Sequence, residues 1–492
     1  MSISRAAAAF GALVLAAACA TNPVTGDREI SLMTEGRELS IGRDADEQIR
    51  EQMGVYDSPA LQAYVEDLGH RLAALSHRPN LPWHFAIVDS PAVNAFALPG
   101  GYIYLTRGIL AYLGDEAELA GVLGHEIGHV TARHSVQAYS RAAGAQIGLV
   151  LGQILVPPMR ANPYGAPGWV DAAASGLGVL FLRFGRDDEL QADRLGAEYA
   201  AAGGWHPEGV AGMLATLGRI GEASDRRGVP NWLSTHPEPA SRVVEVEPIV
   251  AALLRAGDPG ALRVDRAGYL DRIVGLRFGD NPEDGIARAN EFLHPELRFG
   301  LQFPAGWEIR NSAAVVAARP AGQDAYMVLR LVEDAGDADL RALAEREMGR
   351  EGLVAPGSHT TINGLDAYLG SYQRDVDDVG RVHARIAYIR HARRVYVLAA
   401  VVPVREWARV ERDVDRSIRS FRPLTAEEAD GIVPNEIALH VAGPGDTWER
   451  IARVAGAGTV EAATLAVMNG YAADDPPPPG KRLKIVVPGS LK

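Results

Sequence analysis

The sequence predicts a multidomain chain: a mainly α-helical first domain, then an α+β module, then a small βααβ module. Three observations predict it. Apolar residues recur at helical spacing from Thr21 to about Ala256. From Phe299 the period changes to two, with Phe299, Leu301 and Phe303 alternating before Pro304-Ala305-Gly306 breaks the run. From Glu436 to Pro488 the patterns of strand, capped helix, second helix and strand follow one another.

The 492 residues fit two to four domains at roughly 100–200 residues each. Hydrophobic residues are 47% and charged residues 23%, which is ordinary for a folded globular chain and excludes a disordered or collagen-like one. The formal charge is −13, and phosphate binding needs a basic surface, so nucleic acid is excluded as the main partner.

The first segment, 1–18, reads as a targeting signal. Arg5 precedes an apolar run from Ala6 to Ala18 that ends in Ala16-Ala17-Ala18-Cys19. The run is shorter than the ~20 residues that span a bilayer, and its charged start and small-residue end are those of a secretory signal peptide. With the chain's single cysteine, Cys19, following directly, the segment resembles a bacterial lipoprotein signal. That resemblance implies lipidation of Cys19. Ala16 stands where that family has leucine, and Ala20 after the cysteine favours the outer membrane. One cysteine also excludes an intrachain disulfide.

Further boundaries follow from composition. Residues 19–256 form the helical domain, and 257–290, with Gly257-Asp258-Pro259-Gly260, read as a connector. Residues 291–424 form the α+β module, with strand runs at Tyr326–Val332, Ala367–Tyr372 and Val395–Val402. Asn363-Gly364 is a hairpin dipeptide, and Ala338–Arg350 and Val404–Phe421 have helical spacing. Residues 425–435 are a polar linker and 436–488 the last module. Two apolar stretches, Ala145–Pro157 and Ala172–Phe184, fall below spanning length and read as buried or gating helices of the first domain.

The sharpest signal is His125-Glu126-Ile127-Gly128-His129. Asp115 is placed to cap this helix, with Glu118 as its reciprocal partner. His125 and His129 are four residues apart, so both imidazoles leave one face and can share one Zn²⁺. Glu126 lies about 100° around the helix, beside the metal, which suits a general base. Gly121, Gly124 and Gly128 share a side, each costing about 0.8–1.0 kcal/mol relative to alanine, which predicts that another chain, either protein or substrate, packs close to this face.

Such a string also arises on solvated helices, so further donors matter. Glu189 and Asp193 are four apart on a second helical pattern, where like charges repel. Zinc accounts for the pair if Glu189 ligates it and Asp193 accepts the free N–H of a ligand histidine; a solvated acidic face is the alternative. His134, about 140° from His129 on a continuous helix, points elsewhere. Ala132 and Ser135 stand where a metzincin has glycine and histidine, and His206 before Pro207 reads as a turn residue. His236 and Arg242, in Ser234-Thr235-His236-Pro237 and Ser241-Arg242, are candidates for stabilising an oxyanion; a turn histidine is the plainer reading of His236.

Taken together, Asn22-Pro23-Val24-Thr25-Gly26, Asn94-Ala95-Phe96-Ala97-Leu98-Pro99-Gly100-Gly101, HEIGH at 125–129, Glu189 with Asp193, and Thr235-His236-Pro237 resemble the BepA-like periplasmic zinc metallopeptidases, relatives of HtpX and of the CAAX prenyl endopeptidases. The resemblance covers about residues 20–255. It implies a mainly α-helical gluzincin-type metallopeptidase domain with a small edge-strand sheet, and one zinc held by His125, His129 and Glu189. It implies Glu126 as catalytic base, Asp193 behind the ligands, and His236 and Arg242 assisting the transition state. A histidine placed like His236 can also fill the open zinc position in a closed, resting state. Asn94, Ala95, Phe96 and Ala97 resemble the edge strand along which such enzymes align substrate backbone. The tetratricopeptide repeats that follow the protease domain in BepA have no counterpart in this chain.

The last module, His440-Val441-x-x-Pro444-Gly445-Asp446-Thr447-Trp448 through Asn469-Gly470 to Pro479-Gly480-Lys481, resembles a LysM domain, implying peptidoglycan binding, with Trp448 offering a face to sugar. The middle module resembles the PsbP-type α/β sandwich through Phe303-Pro304-x-Gly306-Trp307 and Ser420-Phe421. His359, His383 and His391 there lack metal-ligand spacing. The expectation is a lipid-anchored, outer-membrane, periplasmic zinc endopeptidase acting on misfolded or stalled envelope proteins. The alternative is a non-catalytic envelope chaperone or scaffold tethered to peptidoglycan.

Overall fold

Helical and alternating patterns settle into two units in the computed structural model, which describes residues 19–31, 33–140, 184–224, 232, 236–311, 315–320, 325–332, 335–348, 353–376 and 380–489. The signal segment 1–18, Ala145–Pro157, Ala172–Arg183 and Ser234-Thr235 lie outside them. One unit holds the described residues up to Phe278 together with Asn435–Pro488; the other holds Gly279–Pro434 and Gly489.

The first unit opens with a short antiparallel pair, β1 (Cys19–Thr21) and β2 (Arg28–Ile30). Asn22 Oδ1 accepts from Val24 N and Thr25 N and so closes the turn between them. Helices α1 (Glu35–Met53) and α2 (Pro59–Ala73) follow. A three-stranded sheet comes next: β3 (His84–Val88), β4 (Ala95–Leu98) and β5 (Tyr102–Thr106), in the order β3-β5-β4. β4 is an edge, paired antiparallel with β5 alone among the described residues. Gly100 and Gly101 take positive φ in the turn between them, where a side chain would be strained.

Helix α3 (Arg107–Tyr112) leads to α4 (Glu116–Thr131), which carries the HEIGH string and is buried almost throughout. Asp115 caps it by accepting from Glu118 N. Glu118 does not return the favour to Asp115: its carboxylate accepts from Gly114 N, one residue earlier. Helices α5 (Arg186–Ala202) and α6 (Glu208–Ser224) pack on α4, and α7 (Pro239–Ala256) packs on α5 and α6. The α4 glycines supply the close approach. A Cβ on Gly121 would meet Val210 N at 2.9 Å, one on Gly124 would meet Gly196 O at 2.9 Å, and one on Gly128 would meet Ala192 Cα at 3.1 Å. The packed segments are therefore the protein's own α5 and α6.

The stretch expected as a connector is partly ordered. Helix α8 (Arg266–Ile273) buries Tyr269, Leu270 and Ile273 in the core of the first unit, and β6 (Arg277–Phe278) follows. The sequence hid this because α8 is only two turns long between Gly/Pro breaks.

In the second unit, β7 (Ile286–Arg288), β8 (Glu291–His294) and β9 (Phe299–Gln302) form a small sheet. A seven-stranded antiparallel sheet contains β10 (Trp307–Asn311), β11 (Val315–Pro320), β12 (Tyr326–Val332), β13 (Leu353–Ile362), β14 (Leu365–Val376), β15 (Gly380–His391) and β16 (Arg394–Pro403). Helix α9 (Leu340–Met348) covers one face and α10 (Val404–Arg419) the other. β17 (Arg422–Pro423) adds to the small sheet and α11 (Ala426–Asp430) follows. Asn363 and Gly364, both at positive φ, make the β13–β14 turn.

The chain then returns to the first unit. β18 (Asn435–Val441) pairs with β19 (Arg482–Pro488) and, at its start, with β6. Between them lie the short α12 (Trp448–Arg450) and α13 (Ala462–Met468). Ile437, Val467, Met468 and Val486 join the same core as the α4 leucines. Trp448, expected to face sugar, is buried, and its indole N–H donates to Asp475 O at 2.6 Å; an indole so placed packs this module's own interior.

No helix among the described residues is long and apolar enough to cross a membrane.

Candidate metal centre

α4, α5 and the start of α7 bring the predicted donors together. His125 and His129 leave α4 one turn apart, and Glu189 meets them from α5. His125 Nε2 and His129 Nε2 are 3.0 Å apart, and they stand 3.7 and 3.5 Å from the Glu189 oxygens. His236 joins from the segment before α7, its Nδ1 3.4 Å from His125 Nε2 and 2.9 Å from Glu189 Oε1. These four residues offer ligand atoms within 4.8 Å of one another. Zinc bonds of about 2.0–2.2 Å put tetrahedral donors roughly 3.3 Å apart, so this spacing suits one Zn²⁺.

The surroundings fit a metal as well. His125, Glu126, His129, Glu189, Asp193, His236 and Arg242 are each at most 1% exposed. Three buried carboxylates, Glu126, Glu189 and Asp193, brought this close together call for cations. Arg242 supplies one. Its Nε and Nη2 donate to the two Asp193 oxygens at 2.8 and 2.6 Å, and its Nη1 pairs with Glu189. Asp193 Oδ1 lies 2.9 Å from His125 Nδ1. Burial by itself would raise the Asp193 pKa, but the Arg242 hydrogen bonds and charge, with His125, hold it down to about 2. Burial pushes His129 the other way for a base, well below the ordinary histidine range, which favours the neutral ring a metal needs.

Glu126 lies beside the cluster. Neither of its oxygens has a hydrogen-bond partner among the described residues, and the nearest ionic neighbour is His236 Nε2 at 3.7 Å. Burial raises its pKa above the usual glutamate value. A buried, unpartnered carboxylate is costly unless something else is meant to bind it. Arg242 lies among the carboxylates, where it braces Glu189 and Asp193. Asn94 sits just before β4, which packs beside α4, and Ala95, Phe96 and Ala97 lie within it; Asn94 Oδ1 is buried and has no hydrogen-bond partner among the described residues.

His134 was expected to point away and does not. Its Nδ1 stands 2.9 Å from His129 Nδ1. The 140° argument assumed one continuous helix, but α4 ends at Thr131, Arg133 takes φ +59°, and residues 134–140 are helical again. That break turns His134 back onto the site. Three more residues lay outside the sequence reading. Trp232 stacks on His236 at 4.7 Å, Phe184 stacks on His129 at 4.1 Å, and Gln191 Oε1 meets His134 Nε2 at 2.9 Å. Gln191 lies two residues past Glu189, a spacing that put it on the same helix end; the aromatics carried no local signal.

These atoms define a class: a buried zinc centre of the HExxH…E type on a helical metallopeptidase domain. Residues 59–250 match the model described as peptidase family M48, and all four donors of the site lie within that span. The beta-barrel assembly-enhancing protease of Escherichia coli K12 is 30% identical over 248 residues, covering 50% of this chain and 49% of that protein. The mitochondrial metalloendopeptidase OMA1 of Arabidopsis thaliana is 34% identical over 173 residues, covering 35% of this chain and 32% of that one. The chain thus spans about half the length of the curated relatives it matches first. Among solved structures, cyanobacterial PsbP from Synechocystis is similar at 14% identity and a TM-score of 0.22, covering 28% of this chain and 95% of that one.

Proposed function

We propose that the protein is a zinc-dependent endopeptidase of the bacterial cell envelope that cleaves misfolded or stalled envelope and outer-membrane proteins. The observation that carries this reading is the buried convergence of His125, His129 and Glu189 beside the unpartnered Glu126 carboxylate. Zinc in such a site acidifies a water and polarises the scissile carbonyl. Glu126 accepts the proton of the attacking water and hands it to the leaving amine; its raised pKa suits a group that must do both. Asp193 takes the His125 Nδ1–H and keeps that ring's ligating nitrogen free. Arg242 assists through Glu189 and Asp193, holding both carboxylates in place. His236 serves the transition state when released, and in a closed resting state it fills the fourth donor place.

The edge of β4, Ala95–Leu98, which has no second strand partner among the described residues, aligns an extended substrate by β-augmentation, with Asn94 at its start. Unpaired strands are what a stalled β-barrel precursor exposes, and a relative's name speaks of β-barrel assembly. The signal-like 1–18 and Cys19 support a lipid anchor in the outer membrane facing the periplasm. The 436–488 module, with its LysM-like motifs, serves peptidoglycan contact on a surface other than Trp448. The PsbP-like 291–424 unit serves as a spacer or presents substrate.

One observation favours a second reading, a non-catalytic chaperone or scaffold: His236 already lies among the donors. The test compares wild type with Glu126→Gln for zinc content, casein cleavage and release of fragments from sacculi. Both proteins are expected to hold one zinc, the variant to cleave casein about 10²–10⁴-fold more slowly, and neither to release sacculus fragments. Equal behaviour on every substrate overturns the peptidase assignment.

A further inference from the structure

The outer side of the metal centre contains a proton chain that fixes its own direction. His129 Nε2 faces His125 Nε2 at 3.0 Å and Glu189 Oε1 at 3.5 Å. A ligating imidazole nitrogen carries no proton. The His129 proton therefore sits on Nδ1, which points at His134 Nδ1, 2.9 Å away. Two facing ring nitrogens make a hydrogen bond only when one is bare, so His134 Nδ1 accepts. The His134 proton must then be on Nε2, which donates to Gln191 Oε1 at 2.9 Å. Asp188 Oδ1, at 3.9 Å, is too far to compete. His134 is 1% exposed, so its ring is enclosed by protein.

The two histidines of α4 thus have unlike backing. His125 Nδ1 stands 2.9 Å from the Asp193 carboxylate, whereas His129 rests on a neutral imidazole that in turn rests on a neutral amide. We infer that His134, oriented by Gln191, is a positioning residue of the zinc centre that fixes the tautomer and ring orientation of His129. The inference rests on the reading of His129 as a zinc ligand. Its physical basis is general: a hydrogen bond to the far nitrogen of a ligating histidine holds the ring in its coordinating pose, and losing such a partner costs about 10–100-fold in metal affinity. A neutral partner does this without adding negative charge to a buried site that already holds Glu126, Glu189 and Asp193.

The experiment measures zinc affinity of the full chain by chelator competition for wild type, His129→Ala, His134→Ala, His134→Asn and Gln191→Leu, with a thermal midpoint for each. Wild type is expected to bind one zinc and His129→Ala to lose it; failure there sinks the metal reading itself. His134→Ala is expected to bind about 10–100-fold more weakly. His134→Asn, whose side-chain oxygen stands where the accepting nitrogen was, recovers most of the loss. Gln191→Leu, which strands the His134 Nε2–H, falls between. If wild type binds zinc and His134→Ala binds it as tightly, or if His134→Asn is no better than His134→Ala, the assignment of His134 is overturned. A role confined to folding would lower the thermal midpoints of the His134 variants and leave zinc affinity where it was.

Discussion

Lys484 of β19 donates through its Nζ to Leu113 O at 2.6 Å, immediately ahead of the helix that carries His125 and His129. The side chain is fully buried. Burial pushes its pKa down, and the negative charge of Glu118 opposes that shift. Glu118 is pushed up by burial and by Asp115. Asn469 locks the strand from behind, donating to Lys484 O and accepting from Lys484 N at 2.9 and 2.8 Å. The C-terminal module is therefore seated on the N-terminal end of α4.

Lys484→Met is expected to destabilise the first unit by about 1–3 kcal/mol, because Leu113 O loses its donor while the aliphatic stem is kept. Lys481→Met, at an exposed neighbour, should leave stability within about 0.5 kcal/mol of wild type. Urea unfolding of both variants reads the difference. Equal midpoints would mean the buried ammonium contributes nothing to this seat.

Gly124→Ala tests the approach of α4 to α5. Alanine would gain up to about 1 kcal/mol of helix propensity. Its Cβ, however, would meet Gly196 O at 2.9 Å and Gly196 Cα at 3.0 Å. Those are backbone atoms, so the helices must part, at about 1–3 kcal/mol for overpacking. Since α4 holds both histidines and α5 holds Glu189, the variant is expected to lose zinc affinity along with stability. Calorimetry with and without added zinc measures both. A variant as stable and as tight as wild type would show the helices have slack at this point.

The metal centre was more legible in sequence than the fold around it, for a physical reason. HEIGH and the Glu189–Asp193 pair are encoded in helical spacing, and helical spacing survives into the structure. His134 was misplaced because Arg133 breaks the helix at positive φ, a conformation its residue type gives no hint of. α8 was missed because its burial comes from partners far away in sequence. In the second unit β12 and α9 were visible from their periodicity, while edge-side β10 and β13 alternate too weakly to stand out. The seat of Lys484 is a contact 371 residues apart, beyond any local pattern.

Arg242→Ala should cost about 3–5 kcal/mol, because it strands the buried Glu189 and Asp193 carboxylates without their shared cation. Arg242→Lys should rescue little, since an ammonium cannot reproduce the paired donation to both Asp193 oxygens. Zinc is expected to restore part of the loss in either variant by supplying positive charge to the same carboxylates. Thermal melts with zinc and with chelator check this. A lysine variant matching wild type would mean that charge alone, and not the fork geometry, holds the two helices.

His294 gives the second unit a pH dependence whose sign can be worked out. Burial, with the nearby charge of Arg394, lowers its pKa to about 4, against 6.5 in an unfolded chain, and its Nδ1 accepts from Leu297 N at 3.3 Å. Between those values the unfolded chain binds the proton and the folded one refuses it, so stability falls as pH falls from 6.5 towards 4. The loss is at most about 3 kcal/mol, at 1.36 kcal/mol for each unit of the difference. His294→Phe keeps a ring among Phe292 and Phe299 and removes the titration. It gives up the Leu297 hydrogen bond, so it should be less stable near pH 7. Its urea midpoint should then decline less than that of wild type on acidification, bringing the two curves together by pH 4. Parallel curves over that range would show that His294 takes up its proton in the folded unit as readily as in the unfolded chain.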